Sequence, residues 1–185
     1  MELFKSFRLS RGRSILRSKQ SRIRRNRFRG NILSAKRIGF VWDASNPDEF
    51  QTLSRFHQLM QERNIELSII GYYPGKEIPD RITAIRYFVC LKQEDINFTF
   101  RPVSGEAGRF INTPFDILID ANFRDVFPLE YISALSVAGL KVGIFGKGND
   151  HSPFDVMIDT GGNADLNNYL DQVVHYLELI NTGTK

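Results

Sequence analysis

From Arg37 onward, short apolar runs alternate with segments whose apolar residues recur at helical spacing, and that alternation restricts the chain to few folds. Ile38-Gly-Phe-Val-Trp42 ends at Asp43 and predicts a buried strand. Asn46-Pro47-Asp48-Glu49 follows with a capping side chain, a proline suited to a first turn and two acids suited to the positive end of a helix dipole. Phe50, Leu53, Phe56, Leu59 and Met60 then predict an amphipathic helix over 47–63. Leu67 to Tyr73 reads as a second strand, stopped by Pro74-Gly75, and Ile85 to Leu91 as a third. Further strands are expected at 115–120, 141–145 and 154–158, and helices at 128–138 and 165–181. Residues 96–100 suit a short strand or a packed loop, and 104–112 one or two helical turns. Apolar strands separated by helices imply a mostly parallel sheet covered on both faces. The expectation is a single Rossmann-like α/β domain over residues 37–185, with five or six strands and 115–120 beside 141–145.

Charge divides the chain at the same place. Residues 1–37 hold 13 of the 25 Lys and Arg but one of the 21 Asp and Glu, so this segment carries +12 and the remainder −8. Ten of the 13 cations are arginine, which forks onto phosphate and stacks on bases where lysine offers a point charge. Arg22-Ile-Arg-Arg-Asn-Arg-Phe-Arg-Gly30 interleaves Ile23 and Phe28 with charge, the texture of an RNA-binding arm that orders on its target. Residues 1–36 therefore read as a basic extension, disordered or helical on binding. Arg11, Arg13, Arg17, Arg22, Arg24, Arg25, Arg27 and Arg29 are its expected phosphate contacts. Apolar residues at Leu3, Phe4, Phe7, Ile15, Leu16 and Ile23 make an anionic membrane surface the competing target, although 17–30 lack a continuous apolar face.

The strand ends carry the remaining chemistry, because ligands of open parallel sheets bind there. Asp43, Ser45 and Asn46 follow the first strand, and Asp120 and Asn122 the fourth. They suit a sugar hydroxyl, a phosphate or simple turn formation, and turn formation is the ordinary use of such residues. Asp120 and Asp159 would meet if their strands were neighbours. Lys147 and His151 lie in a glycine-rich loop. No phosphate-binding glycine motif, no nucleophile elbow and no paired-histidine motif is present, and Cys90 is the only cysteine. No catalytic residue, metal or cofactor is expected, and Cys90 reads as a small buried hydrophobe. The chain has no run of ~18 apolar residues and no secretory leader, so a cytoplasmic location is expected.

Ile38-Gly-Phe-Val-Trp-Asp-Ala44, Phe115 to Asp120, Phe127-Pro-Leu-Glu-Tyr-Ile-Ser-Ala-Leu-Ser136, Lys141-Val-Gly143, Met157-Ile-Asp159 and Gln172 to Leu177 together resemble a family of small α/β proteins from Bacteroidota. The resemblance spans about 37–180, leaves the basic segment outside, and implies the fold but no activity. Asp116 to Gly143 alone is similar to the N-terminal half of heptosyltransferase-type glycosyltransferases, whose donor-binding half has no counterpart here. The expected function is that of a non-catalytic RNA-binding or ribosome-associated factor in ribosome assembly or translation. Its partner would be structured RNA, ribosomal in origin, with a ribosomal protein as a further contact. The alternative is a transferase-like domain that binds a small molecule or nucleotide sugar at the strand ends.

Overall fold

The computed structural model describes residues 2–83, 87–146, 152–162 and 165–180. Six parallel strands, β1 (Arg37–Asp43), β2 (Glu66–Tyr72), β3 (Phe88–Leu91), β4 (Ile117–Ala121), β5 (Leu140–Ile144) and β6 (Val156–Ile158), form one open sheet in the order β3-β2-β1-β4-β5-β6. This is the doubly wound Rossmann order, which reverses between β1 and β4. The sheet is entirely parallel, and β4 and β5 are neighbours, Ile117 facing Leu140 and Ile119 facing Val142. The start of the expected third strand, residues 85 and 86, and the Lys147–His151 loop lie outside the described residues. Residues 96–100 form a packed loop closed by a single bridge between Ile96 and Pro102.

Alternation along β1 sorts its side chains to two cores. Phe40 and Trp42 pack with Leu53, Phe56 and Met60 of α2 (Phe50–Glu62) and with Tyr169, Leu170 and Val173 of α6 (Leu166–Leu179). Val41 turns to the other face, toward Ala107 and Phe110 of α4 (Gly105–Asn112) and Leu129 and Ile132 of α5 (Phe127–Leu135). A four-residue helix, α3 (Asp80–Thr83), precedes β3.

The basic segment is folded against this body. Glu2–Gln20 is one helix, α1, and its Leu16 is buried against Phe127, Tyr131, Ala134 and Leu135 on the outer side of α5, with Leu9 and Ile23 beside them. Gly12 makes the approach close: a Cβ there would press into the Thr99 carbonyl and stand 2.8 Å from the Phe127 ring. Residues 26–28 then pass over Gly139, whose missing Cβ leaves 2.8 Å to the Asn26 carbonyl. Phe28 packs against the central core, and Ile32, in a 3-10 turn capped by Asn31, is fully buried in it. Every residue of α5 except Glu130 is buried, because the sheet covers one side of it and α1 the other.

Candidate functional site

Two regions bear on function: the carboxyl ends of β1 and β4, and the surface made by α1 with the segment after it. At the first, the side chains close on one another. Asp43 accepts hydrogen bonds from the Ser45 amide (3.1 Å) and hydroxyl (2.6 Å) through one oxygen. Its other oxygen pairs with the Arg124 guanidinium at 2.7 Å. Arg124 also donates to the Ser45 hydroxyl, so it bridges the loops on either side of the switch point. Asn46 donates to Glu49 (2.9 Å), which also accepts from the Trp42 indole. Burial raises the pKa of Glu49 against those donors.

Asp120 is fixed from both faces of the sheet. Its carboxylate accepts from the Asn122 amide at 2.8 Å and from the Ser133 hydroxyl of α5. Tyr169 of α6 donates to its carbonyl at 2.8 Å, and burial raises that phenol well above its ordinary pKa. Asn122 exchanges hydrogen bonds with Val126, donating to its carbonyl (3.1 Å) and accepting from its amide (2.9 Å). Asp43, Ser45, Asn46, Asp120 and Asn122 thus gather at the carboxyl ends of the two central strands, engaged with the loops there. Asp120 and Asp159 do not face one another, since β5 separates their strands. Asp116 and Asp155, each four residues before Asp120 and Asp159, bind strand entrances. Asp116 accepts the Lys36 and Arg37 amides at 2.7 and 2.9 Å, and Asp155 the Lys141 amide at 2.8 Å.

A cleft of about 280 Å³ lies between α1 and the ends of β4 and β5. Arg13 and Arg17 line one side, and Asp120, Asn122, Glu130 and Ser133 the other. Arg13 stands 3.7 Å from Glu130, and its Nε is buried without a hydrogen-bond partner. Desolvation raises the pKa of Glu130 although the Arg13 charge opposes this.

The arginines of the basic segment divide into two sets. Arg25 and Arg27 both pair with Asp155, Arg25 at 2.6 Å with most of its side chain covered, while Arg27 stays largely exposed. Arg11, Arg17, Arg22, Arg24 and Arg29 are exposed. Arg8, absent from the expected contacts, lies over the Phe98 and Phe100 rings, 4.5 and 4.3 Å from their centroids.

Lys141 was also missed. It is fully buried in β5 and donates to the Ser133 and Ala134 carbonyls at 2.7 and 3.0 Å, occupying acceptors that the end of α5 leaves unpaired. Burial, helped by the Arg25 charge, brings its ammonium down to about 7. The signal was a lone lysine inside an apolar strand. Cys90 is half-buried, and desolvation pushes its thiol up to about 12, which removes thiolate reactivity at neutral pH. Among the described residues no group of three or more His, Cys, Asp and Glu could hold a metal ion, and no helix is long and apolar enough to cross a membrane.

The model of a family of unknown function, DUF6913, matches residues 10–180. The match begins within α1, and so takes in most of the basic residues that the resemblance to small α/β proteins left outside, all but Lys5 and Arg8. No curated protein matches the chain.

Proposed function

The chain belongs to this family of unknown function, and we propose that it is a non-catalytic, cytoplasmic RNA-binding factor associated with the ribosome, in its assembly or in translation. The observation that carries the reading is the state of the basic segment. Arg11, Arg17, Arg22, Arg24 and Arg29 are exposed on a backbone held by Leu16, Phe28, Ile32 and the Arg25–Asp155 pair. A cationic track that is already ordered gives up less conformational entropy on meeting a phosphate backbone than a free tail would. The rest of the chain is acidic, so contact with RNA belongs to this face alone.

Replacing Arg22, Arg24 and Arg29 together by alanine tests the reading, since none of these side chains is buried. Each lost phosphate contact shallows the dependence of log affinity on log salt by about 0.7–0.9, so the triple variant should lose about 2–3 from that slope. Co-sedimentation with ribosomes at low and moderate salt should fall in parallel. Association equal to that of the wild type would refute the assignment.

The cleft of about 280 Å³ supports a second reading, a small-molecule or nucleotide-sugar site beside Asp120 and Asn122, with the buried Arg13 Nε as an unmet donor. The likeness of 116–143 to heptosyltransferase-type enzymes bears on this reading alone. A ligand present at 100 times its dissociation constant adds ~2.7 kcal/mol of stability. A thermal-shift screen against nucleotides and nucleotide sugars that shows no movement would remove it.

A further inference from the structure

The helix α1 reaches beyond the surface that covers it. Leu9 and Leu16 turn to α5 and its surroundings, whereas Leu3, Phe4 and Phe7 remain 90, 60 and 65% exposed. Their spacing of three and four residues places them side by side on the helix surface. The Phe4 ring meets Phe98 edge-on at 5.7 Å between centroids, and Phe98 is itself 56% exposed. Arg8 pins this group from beneath, donating from Nε to the Phe98 carbonyl at 2.6 Å while lying over its ring. Lys5 and Arg11, both exposed, flank it. The result is a group of open rings with cations around them, at the end of the track that carries Arg17, Arg22 and Arg24. Exposed apolar groups of this kind mark contact surfaces.

We infer that Leu3, Phe4, Phe7 and Phe98 form a stacking platform for unpaired nucleotides, so that the RNA taken by this protein presents single-stranded bases beside the backbone held by its arginines. The inference rests on the RNA reading above. An aromatic ring stacks on any base whose face is free, and the faces of paired bases are already stacked within the duplex. A lipid surface fits less well. A helix lying on a membrane spreads apolar side chains along its length, whereas beyond Phe7 Leu9 and Leu16 are turned toward α5 and Ile15 is half-buried.

The test compares the affinity of the full chain for a blunt RNA duplex with that for the same duplex carrying a single-stranded tail, by fluorescence anisotropy. The wild type should prefer the tailed RNA. Phe7→Ala and Phe98→Ala should each weaken tail binding by about tenfold and leave duplex binding unchanged. Phe7→Trp, which keeps a ring, should bind the tail as the wild type does, and Phe7→Leu, which keeps an apolar group without one, should not. Tail binding by Phe7→Leu equal to that of the wild type would show apolar contact instead of stacking, and would overturn the inference. Equal, salt-dependent binding of both RNAs by the wild type would overturn it while leaving the RNA reading in place. Binding of neither RNA would remove both. Phe7-dependent binding to phosphatidylglycerol vesicles without a preference for the tail would also overturn it.

Discussion

Leu16→Ala separates a folded α1 from a tethered tail. Leu16 is 4% exposed and packs against Phe127, Tyr131, Ala134 and Leu135. The substitution removes three carbon-sized groups, each worth about 0.8 kcal/mol on burial, hence about 2.4 kcal/mol before any residual cavity is added. The site lies in the outermost layer, where α1 can settle onto α5, so the cavity contribution is small. A loss of about 2–3 kcal/mol should lower the melting temperature by about 5–10 °C in a chain of 185 residues. Urea unfolding followed by far-UV circular dichroism, and by the fluorescence of the buried Trp42, measures it. The loss should persist at high salt, because apolar docking is not screened whereas charge pairing is. A change within ~0.5 kcal/mol, the range of ordinary surface substitutions, would show that α1 contributes nothing to the fold and would refute the packing argument.

Three other outcomes follow from the same geometry. Gly12→Ala should destabilise by about 1–3 kcal/mol in urea unfolding, although glycine to alanine inside an exposed helix gains about 1 kcal/mol, so the sign alone decides. The ammonium of Lys141 titrates near 7 when folded and near 10.5 otherwise, so the unfolded chain binds the extra proton between those values and stability should rise with pH across that window. Lys141→Met should flatten the rise, and identical slopes in urea midpoints against pH would contradict the assignment. Asp155 is shifted the other way: burial raises its pKa, but the Lys141 amide and the Arg25 and Arg27 guanidiniums hold it below the ordinary value. Its contribution is present above the unfolded carboxylate range near pH 4 and lost as pH falls through the folded value. Asp155→Asn should therefore be less stable than the wild type at neutral pH, with the difference closing in acid; a constant difference would count against it.

The parallel sheet was legible because β1, β4 and β5 are buried on both faces and so read as unbroken apolar runs. Helices α2 and α6 were legible through one-sided apolar spacing. The placement of α1 was not, because its own sequence is dominated by arginine and serine, and a few apolar side chains, chiefly Leu9 and Leu16, make the contact. The trace of it lay in another element. Phe127-Pro-Leu-Glu-Tyr-Ile-Ser-Ala-Leu135 is apolar around nearly its whole circumference, and such a helix needs cover on both sides. The ends of β1 and β4 were legible from where their apolar runs stop, but the partners found there, Arg124, Ser133 and Tyr169, come from positions that only the folded topology brings near. Arg25 and Arg27 looked like their neighbours in composition, and Asp155, some 130 residues away, sets them apart.

The Arg25–Asp155 contact also imposes an order on synthesis. The basic segment is made before its anchors: α5 begins 111 residues after Leu16, and Asp155 lies 130 residues after Arg25. At translation rates of about 5–20 residues per second, the interval of 130 residues between Arg25 and Asp155 lasts about 7–26 s. Until α5 is made Leu16 lacks its partners, and until Asp155 is made the cations have no carboxylate there. Arg25 is therefore covered only after β6 has been made and closed against β5, whereas Arg22, Arg24 and Arg29 stay outside that contact at every stage.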